Sequence, residues 1–408
     1  MTAFRFLHCA DLHIDSPLRG LEADPDAPAE AIRGATRRAF INLVDYAIAE
    51  HVDFVVAAGD LYDGDWQDWR TGHFLHGQVG RLTRESIPFF AIRGNHDAES
   101  VITKRLELPG VLDYRRPETI RMANLPVSIH GQSFGTKAVT ENIARHYPPP
   151  DPGRFNIGLL HTAIDGNDNH PHYAPCSIDQ LRAHGYEYWA LGHVHKREIL
   201  SRDPWIVFPG NLQGRHINEP GAKGGMLVVV EDGAVAEVRP LRFDTVHWAR
   251  IPIQLDADDG EEEALAAVRA ALMANLEEAE GRLLAVRLRL SGACQAHESF
   301  SRDPAAARER VRTEALNIGG PGLIWTETVE FATHPLTAAG TRSDAIGRLI
   351  GALEDIDMAD IESEVQAFAN AMLEKVPSLR QAVEHTGAGD MRDLLRRARN
   401  LLLGSLED

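Results

Sequence analysis

The sequence is short of several things, and each shortage excludes something. Cysteine is scarce: Cys9, Cys176 and Cys294 are the only three in 408 residues, and they lie far apart. No CxxC pair occurs, so neither a disulfide framework nor a cysteine-built zinc knuckle is indicated, and a reducing cytoplasm fits. No apolar run approaches the roughly 20 residues that a membrane span needs. The Phe4–Ala10 segment is too short for a secretory leader and runs straight into Asp11-Leu12-His13, so it reads as a first strand. Basic residues are in deficit, 42 Lys and Arg against 60 Asp and Glu, giving a formal charge of −18. That argues against a surface that is nucleic-acid footprint throughout, while a local basic groove stays open. No internal repeat or low-complexity tract is visible.

What is present is a series of short apolar runs, each ending in polar residues. Phe54-Val55-Val56-Ala57-Ala58 is β-branched and unbroken, the pattern of a strand buried on both faces. Gly59 lets the chain turn, and Asp60 then stands at the carboxyl edge of the sheet, where such sheets place their chemistry. Apolar residues at Ile32, Ala35, Ala39, Leu43 and Ala47 predict a helix between the first two strands, and 65–84 reads as helical. Ile87–Ile92 predicts a third strand ahead of Gly94-Asn95-His96-Asp97. Strands are also expected at 155–160 before His161, at 186–191 before Gly192-His193-Val194-His195, and at 206–208. A hairpin is expected over Asp232-Gly233. Strands alternating with helices give the α/β class. A second unit, with order β-α-β-α-β, is expected from about Trp248, and the tail carries three amphipathic helical patterns. The predicted domains are 1–245, 246–335 and 336–408.

The polar strand ends form a set: Asp11 and His13, Asp60 and Asp63, Asn95 and His96, His161, then His193 and His195. Imidazole, carboxylate and an amide oxygen together suit Mn, Fe or Zn, and the lack of cysteine in the set disfavours a structural zinc. Two ions about 3.5–4 Å apart that share a carboxylate suit in-line displacement at phosphorus. A single Asp-x-His or Gly-Asp is most often a turn or a cap, so the weight lies in five such strand ends occurring together. His8, His73, His76 and His146 read as structural or exposed. Arg215 and His216 follow a strand and a glycine pair, so they either face a phosphate or belong to a plain turn.

These five blocks, in this order, resemble the calcineurin-like metallophosphoesterases over about residues 1–245. The resemblance implies a sandwich of two mixed β-sheets flanked by helices. It implies one metal held by Asp11, His13, Asp60 and His195, and a second held by Asp60, Asn95, His161 and His193. His96 would contact the substrate phosphate and assist the leaving oxygen. Apart from the resemblance, a carboxylate and an imidazole at the ends of neighbouring strands suggest that Asp63 keeps His96 protonated. Closer still, Ala10–Leu18, Gly59–Asp63 and Tyr188–His195 resemble the bacterial YhaO group, which is related to the SbcD nuclease subunits. That implies a small α/β capping domain, a helical tail gripping an SMC/ABC-type ATPase, and two divalent ions, Mn²⁺ foremost with Fe, Zn or Mg as substitutes. It also implies exonuclease and endonuclease action on DNA in double-strand-break repair; homodimer formation is open. Many eukaryotic and archaeal relatives carry histidine where Asp63 stands.

Two other readings remain at this point: a small-molecule or cyclic-nucleotide phosphodiesterase of the same fold, and a scaffold that recruits an ATPase. The extra domains favour the nuclease, the acidic balance mildly favours the small substrate, and the complete ligand set argues against the scaffold. The tail's plainer alternative is to pack on its own chain; laying its arginines, Arg392, Arg396, Arg397 and Arg399, on DNA phosphates is a weaker third option.

Overall fold

The structure is a computed structural model that describes residues 3–16, 27–63, 69–99, 106, 108–164, 173–320 and 322–336. The predicted helical tail therefore lies outside the described residues, as does most of the polar loop after Ile164. The chain divides into two compact units. Among the described residues, one unit runs to Trp248 and includes Arg282–Ala285, and the other comprises Ala249–Gly281 with the described residues from Val286 to Leu336.

The first unit is built on two mixed sheets. In chain order its strands are β1 (Ala3–Cys9), β2 (Phe54–Ala58), β3 (Phe89–Ile92), β4 (Glu118–Arg121), β5 (Val127–Gly131), β6 (Phe155–His161), β7 (Tyr188–Gly192), β8 (Glu198–Arg202), β9 (Trp205–Phe208), β10 (Gly224–Glu231) and β11 (Ala234–Arg242). One sheet has the order β11-β10-β1-β2-β3, the other β4-β5-β6-β7-β9-β8. β1, β2 and β3 run parallel, as do β5, β6, β7 and β9, and the flanking strands β10, β11, β4 and β8 are antiparallel. The β10–β11 hairpin turns over Asp232 and Gly233, both with positive φ, the combination that matches the twist of paired strands.

Alternation along the strands sorts their side chains into layers. Phe4, Phe6, Phe54, Val56, Phe90 and Ile92 of one sheet meet Val127, Ile129, Phe155, Ile157, Leu159 and Tyr188 of the other. Phe6 and Phe54 stack with centroids 4.9 Å apart, and Tyr188 meets Phe6 edge-on at 5.3 Å. The opposite face of the first sheet carries Leu7, Cys9, Val55 and Ala57. They pack on α2 (Ala35–Ala49) and α3 (Trp69–Arg84) through Phe40, Leu43, Val44, Leu75, Val79 and Leu82. The outer face of the second sheet packs Leu160, Trp189, Leu191 and Ile206 against Leu181 of a later helix, Ile178–His184. With both faces covered, these strands read as unbroken apolar runs rather than alternating ones. The result is the expected mixed α/β sandwich flanked by helices.

The differences from the sequence-based expectation are local. The predicted helix from Ile32 is broken at Gly34 into α1 (Ala29–Arg33) and α2. β4, β5, β8 and the Ile178–His184 helix are additional. β4 and β8 are short, half-exposed edge strands whose composition gives no clear period. A further short helix, α4 (Asn95–Glu99), begins within the Gly-Asn-His-Asp block. Numbering onward, α5 is the Ile178–His184 helix, opened by a Ser177–Gln180 capping box.

The second unit contains a three-stranded sheet in the order β12 (Val246–Gln254), β13 (Leu283–Ala293), β14 (Ile324–His334). The chain passes from the first unit to the second along β12. Helices α6 (Glu261–Ala279), α7 (Ala296–Arg302) and α8 (Pro304–Gly319) accompany the sheet; α7 is one helix more than the sequence suggested. Val268 and Leu272 of α6, Val286, Leu288 and Leu290 of β13 and Val311 of α8 are buried. Asp303 caps α8 by accepting from Ala306 N at 3.0 Å, with Pro304 in the first turn. Arg287 donates from Nε and Nη2 to the two oxygens of Glu327, at 2.9 and 2.6 Å, tying β13 to β14.

Candidate metal centre

The carboxyl ends of β1, β2, β3, β6 and β7 meet along one rim of the first unit. Asp11 and His13 follow β1, Asp60 and Asp63 follow β2, Asn95 and His96 follow β3, His161 ends β6, and His193 and His195 follow β7. Asp11, His13, Asp60, Asn95 and His161 are buried, none more than 4% exposed. Their backbones are held in unusual conformations: φ is 51° at Asp11, 42° at His13, 51° at Asp60 and 102° at His193. Left-handed backbone at non-glycine residues costs on the order of 1 kcal/mol or more each and gathers at functional sites. Neighbouring loops enforce it, with Asp11 N bonded to Gly59 O and His13 N to Asp60 O, both at 3.0 Å. Glycine is required twice. A Cβ at Gly59, where φ is 95°, would overlap the His161 ring, and one at Gly94 would overlap Asp60 Oδ1.

Three groups of ligand atoms lie within 4.8 Å of one another: Asp11, His13 and His195; Asp11, Asp60 and His161; and His13, Asp60 and His96. His13 Nε2 and His195 Nε2 face each other at 3.1 Å. Asp60 Oδ2 is 3.4 Å from His161 Nε2 and 3.8 Å from His13 Nε2, so this carboxylate stands between two histidine corners. Asn95 Oδ1 reaches His161 Nε2 at 2.9 Å. His193 is in none of the three groups among the described residues. Its backbone N–H donates to both Asp11 oxygens at 3.0 and 3.1 Å, and its ring centroid is 5.3 Å from that of His161.

The ionisation of the rim fits a bound cation. Two carboxylates are buried here; burial pushes Asp11 up, whereas at Asp60 the nearby His161 and His13 outweigh burial and hold it low. Burial alone would lower His161, but the Asp60 charge outweighs it and the ring is raised to about 9. His161 Nδ1 lies 2.9 Å from Ala58 O, which fixes that atom as a donor and turns Nε2 toward two oxygen acceptors. Without a metal a proton on Nε2 serves those two oxygens; a divalent cation in its place would meet three lone-pair atoms at one point. His13 is lowered to about 3, by burial first and Arg215 second, so it is neutral and offers a lone pair. The donor set of imidazole, carboxylate and amide oxygen therefore suits divalent metal ions.

Asp63 and His96 are joined: Asp63 Oδ1 is 2.7 Å from His96 Nδ1. Burial would lower His96, but the bond to Asp63 and the Asp60 charge raise it. Arg215 is turned inward, 14% exposed, with Nη2 2.8 Å from Glu219 Oε1 and Nη1 3.8 Å from Asp63 Oδ2. His216 is exposed over 53% of its side chain. Among the other histidines, His8 is buried against Tyr188 Oη and Leu191 O, and His73 and His146 are exposed.

Two supporting residues escaped the sequence reading. Asp97 is buried and accepts from Leu61 N, Tyr62 N and Gly94 N at 2.8–3.0 Å, stapling the loop after β2 to the loop after β3. The last residue of Gly-Asn-His-Asp was its only signal. Glu219 is 7% exposed and bonds His195 Nδ1 at 2.7 Å. It lies in an irregular loop, and nothing in the sequence connects it with His195.

Residues 4–197 match the calcineurin-like phosphoesterase family, and residues 248–334 match the middle domain of the metallophosphoesterase YhaO. A Bacillus subtilis protein described as uncharacterized metallophosphoesterase YhaO is 37% identical over 243 residues, or 58% of this chain and 60% of that protein. The alignment thus spans less than two thirds of the relative's length. Among solved structures, a Thermus thermophilus protein aligns over 59% of this chain and 100% of its own, with 14% identity and a TM-score of 0.34. A dimetal phosphatase from Danio rerio aligns over 56% of this chain and 93% of its own, with 12% identity and a TM-score of 0.37. The residues that build this rim thus lie in a stretch that matches the calcineurin-like phosphoesterase family, and the chain has a YhaO-like homologue.

Proposed function

We propose that the protein hydrolyses phosphodiester bonds at a two-metal centre, that Mn²⁺ is the working metal, and that DNA is the substrate, cut as exonuclease and endonuclease in double-strand-break repair. The observation that carries the hydrolase reading is Asp60, buried between His13 and His161 with a second carboxylate, Asp11, beside it. Asp11, His13, Asp60 and His195 would hold one ion, and Asp60, Asn95, His161 and His193 the other. When bound, two such ions supply positive charge to the phosphate oxygens and bring the pKa of water toward neutrality.

The chain's own residues do the rest. His96 bonds Asp63 through Nδ1, which leaves Nε2 as the atom that gives a proton to the leaving oxygen. Asp63 is itself held low; burial opposes this, but the His13 ring 3.7 Å away and the bond from His96 prevail. It therefore stays anionic and keeps His96 charged. The backbone N–H of His96 donates to Asp60 Oδ1 at 3.0 Å, so the proton donor and the shared carboxylate are fixed in one frame.

DNA as substrate is supported by the second unit, which a small ester does not require, and by the likeness to the YhaO middle domain. The charge of −18 favours a small substrate instead. End-labelled duplex and single-stranded DNA, tested with Mn²⁺ beside bis-p-nitrophenyl phosphate, separates the two. Degradation of DNA is expected. Turnover of the small ester alone overturns the DNA reading, and no turnover of either by the metal-loaded protein overturns the hydrolase reading. The proposal extends to a partner: residues 336–408 dock an SMC-like ATPase. Deleting them should leave metal binding intact and abolish co-purification with the ATPase; undiminished capture, or loss of metal binding, refutes the docking role.

A further inference from the structure

One buried carboxylate beside the rim has no task in the reading above. At Glu219 four hydrogen bonds of 2.8 Å or shorter meet two oxygens, with a fifth from Arg215 Nε to Oε2 at 3.4 Å. Oε1 is 2.7 Å from His195 Nδ1 and 2.8 Å from Arg215 Nη2. Oε2 accepts from the Arg215 backbone N–H and from Asn211 Nδ2, each at 2.8 Å. Only an ionised carboxylate accepts at all four points. Two neighbours stand at His195 Nδ1, the acceptor Glu219 Oε1 at 2.7 Å and the donor Arg215 Nη2 at 3.3 Å; the nearer one assigns the proton to Nδ1 and leaves Nε2 its lone pair. Nε2 is the atom that faces the rim, 3.1 Å from His13 Nε2 and 4.0 Å from Asp11 Oδ1. The backbone is braced from the same side, with Lys223 Nζ donating to His195 O at 2.9 Å.

We propose that Glu219 is a positioning residue: it fixes the tautomer and the ring orientation of His195, and so prepares Nε2 to hold a divalent ion. Arg215 extends that hold, because the guanidinium on Glu219 also stands 3.8 Å from Asp63, the partner of His96. The acceptor that orients one metal ligand and the acceptor that orients the proton donor are thus joined through one arginine. The inference rests on the two-metal reading, and it concerns which atom of His195 is free rather than which reaction follows.

Glu219→Gln is the informative variant. The Arg215 backbone N–H cannot turn away, so the amide oxygen takes the place of Oε2 and the amide NH₂ faces His195. His195 Nδ1 must then accept, and its proton moves to Nε2, the atom aimed at the metal. Loss of such an outer partner lowers metal affinity about 10–100-fold. Two measurements decide the matter. Calorimetric titration with Mn²⁺ should show two ions on the native chain and one of them weakened about 10–100-fold in Glu219→Gln. Long-range ¹H–¹⁵N correlation of the metal-free protein, with the His195 signal assigned by its loss in His195→Gln, should show the proton on Nδ1 in the native chain and on Nε2 in the variant. A merely structural role leaves the tautomer unmoved. Native His195 protonated at Nε2, or unchanged binding of both ions by Glu219→Gln, overturns the proposal. If the variant does not fold, the native tautomer alone decides. If the native chain takes up no Mn²⁺, the metal-centre reading fails while the tautomer still judges Glu219.

Discussion

The layer between the two sheets and the rim at their carboxyl ends are buried to the same degree and made of opposite material. Phe6, Phe54 and Ile157 are fully buried among apolar neighbours; Asp11, Asp60 and His161 are as deeply buried among charges and imidazoles. The first region is stable because it removes apolar surface from water, about 1.5–3 kcal/mol per large side chain. The second gains nothing of that kind. It holds two carboxylates, left-handed backbone at four residues and a histidine raised to about 9, and it stays folded because outer residues such as Glu219, Asp97 and Asp63 fix each group. Burial by itself therefore does not separate core from site. The source of satisfaction does: neighbouring methyl groups in one case, donors, acceptors and cations in the other.

The comparison can be broken most sharply at Asp60. Asp60→Asn removes an anionic ligand from both ions, so hydrolysis of a phosphodiester should fall by more than about 100-fold, beyond the loss an outer-shell change gives. The metal-free variant should melt lower than the native protein, because the raised His161 loses the carboxylate that balances it; a drop in melting temperature together with retained activity would place Asp60 in the structural layer. His96→Ala should lose roughly 10²–10⁴-fold in rate and keep both ions. Loss of an ion in calorimetry would make His96 a ligand, as its place beside His13 and Asp60 would permit. Phe54→Ala tests the other side. It should leave metal stoichiometry unchanged and lower stability to urea by about 3–5 kcal/mol, the cost of a cavity in a packed core. Normal stability would mean that the inner layer is looser than its stacked rings suggest.

The smallest expected effect is at the periphery, on the carboxylate of Asp151. Hydrogen bonds from Arg121 and Ser128 lower it to about 2. A carboxylate depressed in the folded state adds stability that is present above its unfolded pKa of about 4 and lost as pH falls through 4 toward 2. The partner Arg121 is 61% exposed, so solvent screening leaves about 1 kcal/mol of this. Asp151→Asn should cost that much at pH 7 and flatten the stability curve between pH 4 and 2; an unchanged acid limb would show the pair to be idle.

Much of the molecule was visible in the sequence. Phe54–Ala58 announced a strand covered on both faces, and the residues that gather at the rim each stood at the end of such a run. Those readings succeed because strand period and turn chemistry are local. β4 and β8 escaped because a half-exposed edge strand needs neither alternation nor β-branched residues. The further helices in both units escaped because short helices carry too few turns to show a period.

What the sequence determined by itself is the inventory: which side chains end which strands, the glycines that let them turn, and an apolar code that stacks two sheets. Only the tertiary structure decided how those ends face one another. Glu219 meets His195 across 24 residues of chain that include β8 and β9, Asp97 ties the loop of one strand to the loop of the next, and Arg215 turns inward to Glu219 and Asp63. The physical reason is that a hydrogen bond depends on distance and direction in space. Sequence periodicity records which face a residue occupies, and it says nothing of what stands opposite.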